Sequence, residues 1–270
     1  MVLLAHIAAW SLLAFGALLF IVQLAAHEIG FWIGRRRAAG RDAPSDGVGV
    51  LVGGVLALLA FVLALTLSFA SARFDERRGG TLAEANAIGT AWLRAKAIGQ
   101  PRGDEIARLL EQYIKLRIDF AEAPYDPPVL DALNHRTDGL QSAIWEHVSA
   151  IVQAQPNPVS TSLMAALNDA FDMTMATRFA FELRLPQQIF WLLIGLTLLG
   201  MATLGYQLAL RGPRIRMLAA MLTLTWTVVI VDIIDLASAR LGNLRTSVAA
   251  YEWTLQGFQG GGAIPPATPQ

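Results

Sequence analysis

Cysteine is absent from the 270 residues, and charge is scarce: Lys, Arg, Asp and Glu together make up 16% of the chain. The missing thiols exclude disulfides, thiolate metal sites and cysteine nucleophiles, and leave the redox compartment undetermined. The 21 basic residues balance 21 acidic ones, which fits neither a basic nucleic-acid binder nor a charge-rich disordered chain. Histidine is sparse too. His6, His27, His135 and His147 are scattered without metal-ligand spacing, and His27-Glu28 does not open a zinc HExxH motif, because Phe31 holds the second histidine position. There is no Gly-rich phosphate loop, no G-x-S-x-G elbow and no catalytic pair of carboxylates. No catalytic, cofactor or metal residue is therefore assigned, and an enzyme is not expected.

What the chain has is apolar residues, 54% of the total, while its charged share of 16% falls below the roughly 25% of an ordinary soluble domain. They gather in four stretches long enough to cross a hydrocarbon core, which takes about 20 residues. The expected spans are residues 1–33, 48–72, 187–210 and 214–240. Such spans must be helical, since lipid offers no partner for backbone N–H and C=O groups. The first has no positive residue ahead of it and is too long for a signal-peptide core, so it reads as a retained helix.

Residues 73–186, between spans two and three, read as four amphipathic helices. Thr81-Leu-Ala-Glu84 has the pattern of a capping box, opening a helix that Gly99 and Pro101 end near Ile98. A second runs from about Asp104 to Phe120, with Ile106, Leu110 and Tyr113 on one stripe. Asp126-Pro-Pro starts a third, and Leu133, Leu140, Ile144, Val148 and Ile151 follow near-heptad spacing. Asn157-Pro158 starts a fourth, with Leu163, Leu167, Phe171 and Phe181 inward. The outer helices of this bundle are expected to run on from spans two and three. Residues 241–270 read as a tail, disordered from about 259. The expected fold class is all-α: four transmembrane helices with an extramembrane helical bundle inserted between the second and third.

Orientation rests on arginines. The loop after span one carries Arg35, Arg36, Arg37 and Arg41, and the turn after span three carries Arg211, Arg214 and Arg216. The opposite face carries Arg73, Arg77, Arg78, Arg178, Arg184, Arg240 and Arg245, so the totals tie. The tight loops weigh more in the rule and lean towards the cytoplasm, which puts the bundle outside it.

Several residues stand out, each with two readings. Glu28 lies one turn inside span one, where an ionisable group is a functional candidate; pairing with Arg35, Arg211, Arg214 or Arg216 is the plainer account. Asp232 and Asp235, spaced i, i+3 near the end of span four, either line a charged vestibule or form a buried pair with Arg73 at the end of span two. Phe61, Leu65 and Phe69 form one stripe of span two, suited to a hydrophobic gate or to lipid. Gly49, Gly53 and Ala57 make a small-xxx-small row expected on a packing face. Glu84 and Asn86 are read as structural, Glu84 as capping partner.

The run from Gly54 to Arg78, ending Ala-Arg-Phe-Asp75-Glu-Arg-Arg78, and the following Glu84-Ala-Asn-Ala-Ile-Gly-Thr-Ala-Trp-Leu-Arg94 resemble the bestrophin-like domain family of bacterial membrane proteins. Glu28-Ile-Gly30, Gly205-Tyr206, Asp232-Ile-Ile-Asp-Leu236 and Gly242 extend the resemblance over almost the whole chain. The family is named for a similarity to bestrophin anion channels, four-span pentamers whose second helices line a pore and continue into a cytoplasmic helical domain. The resemblance thus implies a bundle on the cytoplasmic side, opposite to the charge count. The family's Asp-Leu-Asp-x-Pro-Arg pattern stands here as Asp235-Leu-Ala-Ser-Ala-Arg240, without the second Asp and the Pro.

Two functions follow as expectations. One is an ion (anion) channel built as a homo-oligomer, because a single four-helix protomer is too thin to hold a water path. The other is a membrane-anchored interaction or sensory module whose bundle meets a protein partner. Both place the chain in the lipid bilayer of a bacterial inner membrane, without nucleic acid or cofactor.

Overall fold

The computed structural model describes residues 12–38, 47–99, 101–183, 186–211, 216–240 and 242–260. The start of span one, Arg41 in the first loop, most of the turn after span three, Arg184, and the tail from 261 lie outside the described residues. Among the described residues eight helices follow in order: α1 Leu12–Ala38, α2 Gly47–Ile98, α3 Pro101–Glu122, α4 Pro127–Ala154, α5 Pro158–Glu182, α6 Gln187–Arg211, α7 Arg216–Ala237 and α8 Ala249–Phe258. Among the described residues there is no strand. Four stretches, within Leu12–Ala38, Gly47–Ile98, Pro158–Leu210 and Arg216–Ala237, are long and apolar enough to cross a membrane. The chain divides into two compact units, the first Met1–Arg73 with Arg184–Leu244, the second Phe74–Leu183 with Arg245–Gln270. The division falls inside α2, which has no break there.

In the first unit, Phe15, Leu19, Leu59, Leu63, Leu193, Ile230 and Ile233 form the core. Glycine sets the approach of α1 to α6. A Cβ on Gly30 would overlap the Ala202 carbonyl, one on Gly205 would overlap the His27 carbonyl, and one on Gly34 would crowd Tyr206 and Ala209. The packing row is therefore Gly30-xxx-Gly34, a GxxxG pair that lets backbones touch. The row expected from sequence, Gly49-Gly53-Ala57, is not that face. Gly53 and Ala57 are exposed, and a Cβ on Gly53 would meet nothing within 4 Å. The i, i+4 spacing of small residues is the same in both rows; only the neighbouring helix distinguishes them.

The second unit has the expected helix starts at Pro127 and Pro158. Asn157 caps α5, accepting from the Val159 and Ser160 backbone N–H groups, while the Ser160 hydroxyl accepts from the Asn157 N–H. The core gathers Ala85, Ile88, Ala91, Ile106, Leu110, Ile144, Val148, Leu163 and Leu167, all buried.

Two expectations need correction here. No helix begins at Thr81, because α2 runs straight through it. The Thr81 hydroxyl donates to the Arg77 carbonyl at 2.8 Å, the bond of a mid-helix threonine. And the segment 241–270 is not a tail throughout. Its residues Ala249–Phe258 form α8, which packs on the unit through buried Tyr251, a stacked Trp92–Phe258 pair with ring centroids 4.6 Å apart, and Thr254 against Gly89.

Candidate functional site

The span portion of α2 has one buried face, made by Val52, Leu59, Leu63, Thr66 and Ala70. Its exposed half carries two rows. Gly53, Ala57, Ala60, Ala64 and Ser68 are small and exposed. At about 100° per residue, Phe61, Leu65 and Phe69 lie about a quarter turn further round, with exposures of 63%, 48% and 58%. Arg73 follows Phe69 by four residues on the same row and is exposed. Among the described residues, nothing covers the stripe expected as a gate or lipid face.

The charges near the span ends are dispersed. Glu28 pairs with Arg216, Arg216 Nε to Glu28 Oε1 at 3.1 Å and Nη2 to Oε2 at 3.2 Å, both partners substantially exposed. Asp232 is exposed and Asp235 is buried, although they are one turn apart. Asp235 accepts from the backbone N–H groups of Asn243 and Leu244, each at 3.2 Å. This closes the chain behind α7, and Gly242, with φ +89°, supplies the left-handed turn that brings it back against the carboxylate. Asp235 is thus satisfied by backbone donors, and Arg73 and Asp232 are not a buried pair.

The densest polar arrangement lies in the second unit, around Glu84. Its Oε1 accepts from Arg117 Nε at 2.6 Å and from the Thr174 hydroxyl at 2.8 Å, and its Oε2 accepts from the Tyr251 hydroxyl at 2.6 Å. The Tyr113 hydroxyl donates to Thr174 at 2.6 Å and accepts from the Gln141 amide at 2.8 Å. Four helices, α2, α3, α5 and α8, thus meet at one carboxylate, and α4 joins the network through Gln141. Glu84 and Arg117 are each at most 1% exposed. The Arg117 guanidinium also lies 4.4 Å from the Phe120 ring centre.

Burial pulls against the Arg117 charge, but Glu84 and Tyr251 outweigh it and hold the guanidinium above its usual value. Burial pushes the Tyr113 phenol up to about 12, against the opposing pull of Thr174 and Arg117. Burial and the Glu84 carboxylate together push Tyr251 well above its usual value. The arrangement is a structural node: a buried ion pair whose carboxylate also accepts from two neutral hydroxyls, with two phenols kept protonated, while Arg117 Nη1 and Nη2 meet no hydrogen-bond partner among the described residues.

Sequence reasoning missed this node. A signal existed, since Arg117 continues the Leu110–Tyr113 stripe by four residues and Glu84 stands between the buried Thr81 and Ile88. A charge on an apolar stripe needs a partner. The same sign marks Gln23, fully buried on α1, and His27 four residues on. Asn86, by contrast, is exposed. Among the described residues, no three His, Asp or Glu side chains gather to hold a metal ion. No protein family, curated protein or solved structure matches the chain.

Proposed function

We propose that the chain is a multi-pass protein of the bacterial inner membrane and assembles as a homo-oligomeric ion channel of the bestrophin-like type. In this reading residues 74–183 form an extramembrane bundle inserted between spans two and three, and α2 lines the path. The observation that carries it is the exposed half of α2, with its small row beside its bulky row. In a ring of copies the row from Gly53 to Ser68 lets a neighbouring helix come close. The adjacent row of Phe61, Leu65 and Phe69 then turns towards the shared axis, where bulky apolar side chains make a constriction that excludes ions by dewetting. Arg73 extends that row by one turn to the mouth.

The test is flux. Liposomes holding the purified protein and a halide-sensitive dye are expected to pass chloride, and Phe61→Ala/Phe69→Ala to raise the rate several-fold by widening the constriction. Silent liposomes, or a protein strictly monomeric in mild detergent, would overturn the channel. A membrane-anchored interaction module is the second reading. It is favoured by the exposed apolar side chains of the second unit, among them Leu93, Met175 and Phe179, and is supported by a stoichiometric partner whose capture depends on them.

A further inference from the structure

The first unit carries polar groups that the channel reading does not use. Gln23 has no exposed surface, and neither its amide nitrogen nor its carbonyl oxygen meets a hydrogen-bond partner among the described residues. His27, four residues on along the same face of α1, is also buried, and its Nε2 is likewise unpartnered there. In a helix long and apolar enough to span the membrane, such groups cannot turn to bulk water for their bonds.

Two contacts set the register of α1 against α7. Gly16 meets Thr227 and Val231, and Glu28 pairs with Arg216. The helices therefore run antiparallel, and Gln23 lies near the midpoint between these anchors, level with the stretch of α7 around Thr223. Thr223 is fully buried. Its hydroxyl donates to the Ala219 carbonyl at 2.7 Å and lies 3.7 Å from Met201 Sδ on α6. Its hydrogen is thereby engaged while its oxygen keeps a lone pair. On the α6 side, Ala202 and Gly205 touch Gly30 and His27, so Met201 belongs to the same crossing. By this register α1 carries an amide and an imidazole, and α7 a hydroxyl, at neighbouring levels of the buried interior. The soft thioether of Met201 beside them is a side chain able to shift.

We propose that Gln23, His27 and Thr223 form an internal hydration site where α1, α6 and α7 meet, reached from the Glu28–Arg216 end. The ligand must accept from the Gln23 amide, donate to its carbonyl and to the Thr223 oxygen, and be small. It must also be uncharged, because an ion in this buried interior would pay its desolvation with no opposite charge shown beside it. Water meets each condition. Hydration here makes the His27 imidazole a proton-exchanging group inside a single protomer. The site therefore stands whether or not copies form a ring.

The experiment is solid-state NMR of the full chain in lipid bilayers, following magnetisation transfer from water to the Gln23 and His27 side-chain nitrogens. The buried Leu59 and Leu63 methyls serve as dry references and the Arg216 guanidinium as a wet one. Transfer several-fold faster than to Leu59 is expected at both residues. Gln23→Leu is expected to slow transfer at His27 several-fold and leave Arg216 unchanged. Should that variant fail to fold, Thr223→Val is expected to do the same. Gln23 and His27 as dry as Leu59 in the folded wild type would overturn the proposal, as would a Gln23→Leu or Thr223→Val variant in which His27 stays equally wet.

Discussion

Arg117→Met deletes the guanidinium while keeping an apolar stem in its place. Glu84 then retains the bonds from Thr174 and Tyr251 but loses the Arg117 charge 2.6 Å away, in a site with almost no exposed surface. Breaking a buried ion pair from one side costs about 3–5 kcal/mol. The contact of the cation with Phe120 adds about 1 kcal/mol, and the two surviving hydroxyl bonds pull the total back to about 3–4 kcal/mol. At about 3–4 °C per kcal/mol, the unfolding midpoint of the second unit falls by roughly 10 °C. The assay is thermal unfolding of the full chain in mild detergent, read from the near-ultraviolet signal of Trp92, whose ring stacks on Phe258. The control is Glu84→Gln/Arg117→Met. It removes both charges but keeps carbonyl and amide atoms for Tyr251 and Thr174, and is expected to recover most of the loss. A single variant within about 1 kcal/mol of wild type, or a double variant no better than the single, would refute the node's electrostatics.

Other outcomes follow from the same packing. The Tyr113 phenol is held protonated up to about 12 against a usual 10.0. A raised folded value makes its contribution complete below pH 10 and lost as pH climbs towards 12, on the order of 3 kcal/mol. Alkaline unfolding followed by tyrosinate absorbance should therefore start above pH 10, and Tyr113→Phe should blunt that component. Gly30→Ala must push α1 from Ala202 and is expected to cost about 3 kcal/mol or more, whereas Gly53→Ala leaves the fold intact; yields of monodisperse protein compare the two. Deleting residues 249–270 takes Tyr251 from Glu84 and Phe258 from Trp92. Red-shifted Trp emission and a lower unfolding midpoint are expected, and an unchanged midpoint would show that α8 contributes nothing.

Local pattern was most readable where one dominant force acts on a contiguous stretch. The four spans follow from apolar length alone, and the starts of α4 and α5 follow from Pro in the first turn behind Asp126 and Asn157. Thr81-Leu-Ala-Glu84 shows the limit. A threonine three residues before a glutamate serves equally as a cap or as a mid-helix pair, and which it becomes depends on whether the chain upstream is already helical. Here α2 arrives from the span, so the hydroxyl turns to Arg77 and the carboxylate is free for other helices. Likewise α8 is short and only marginally helical by itself. Its Tyr251 and Phe258 hold it to a surface that lies far away in sequence.

The amino-acid sequence by itself determined that the chain is helical, that four stretches can cross a membrane, and where α4 and α5 begin, because hydropathy, proline and capping act over a few neighbouring residues. Tertiary structure alone decided which glycines touch, which of Asp232 and Asp235 is buried, and that Glu84 meets Arg117, Thr174 and Tyr251, residues 33, 90 and 167 positions away. The physical reason is that a contact between helices depends on their rotation and crossing. Those are set by the whole set of packed side chains rather than by any window of the chain.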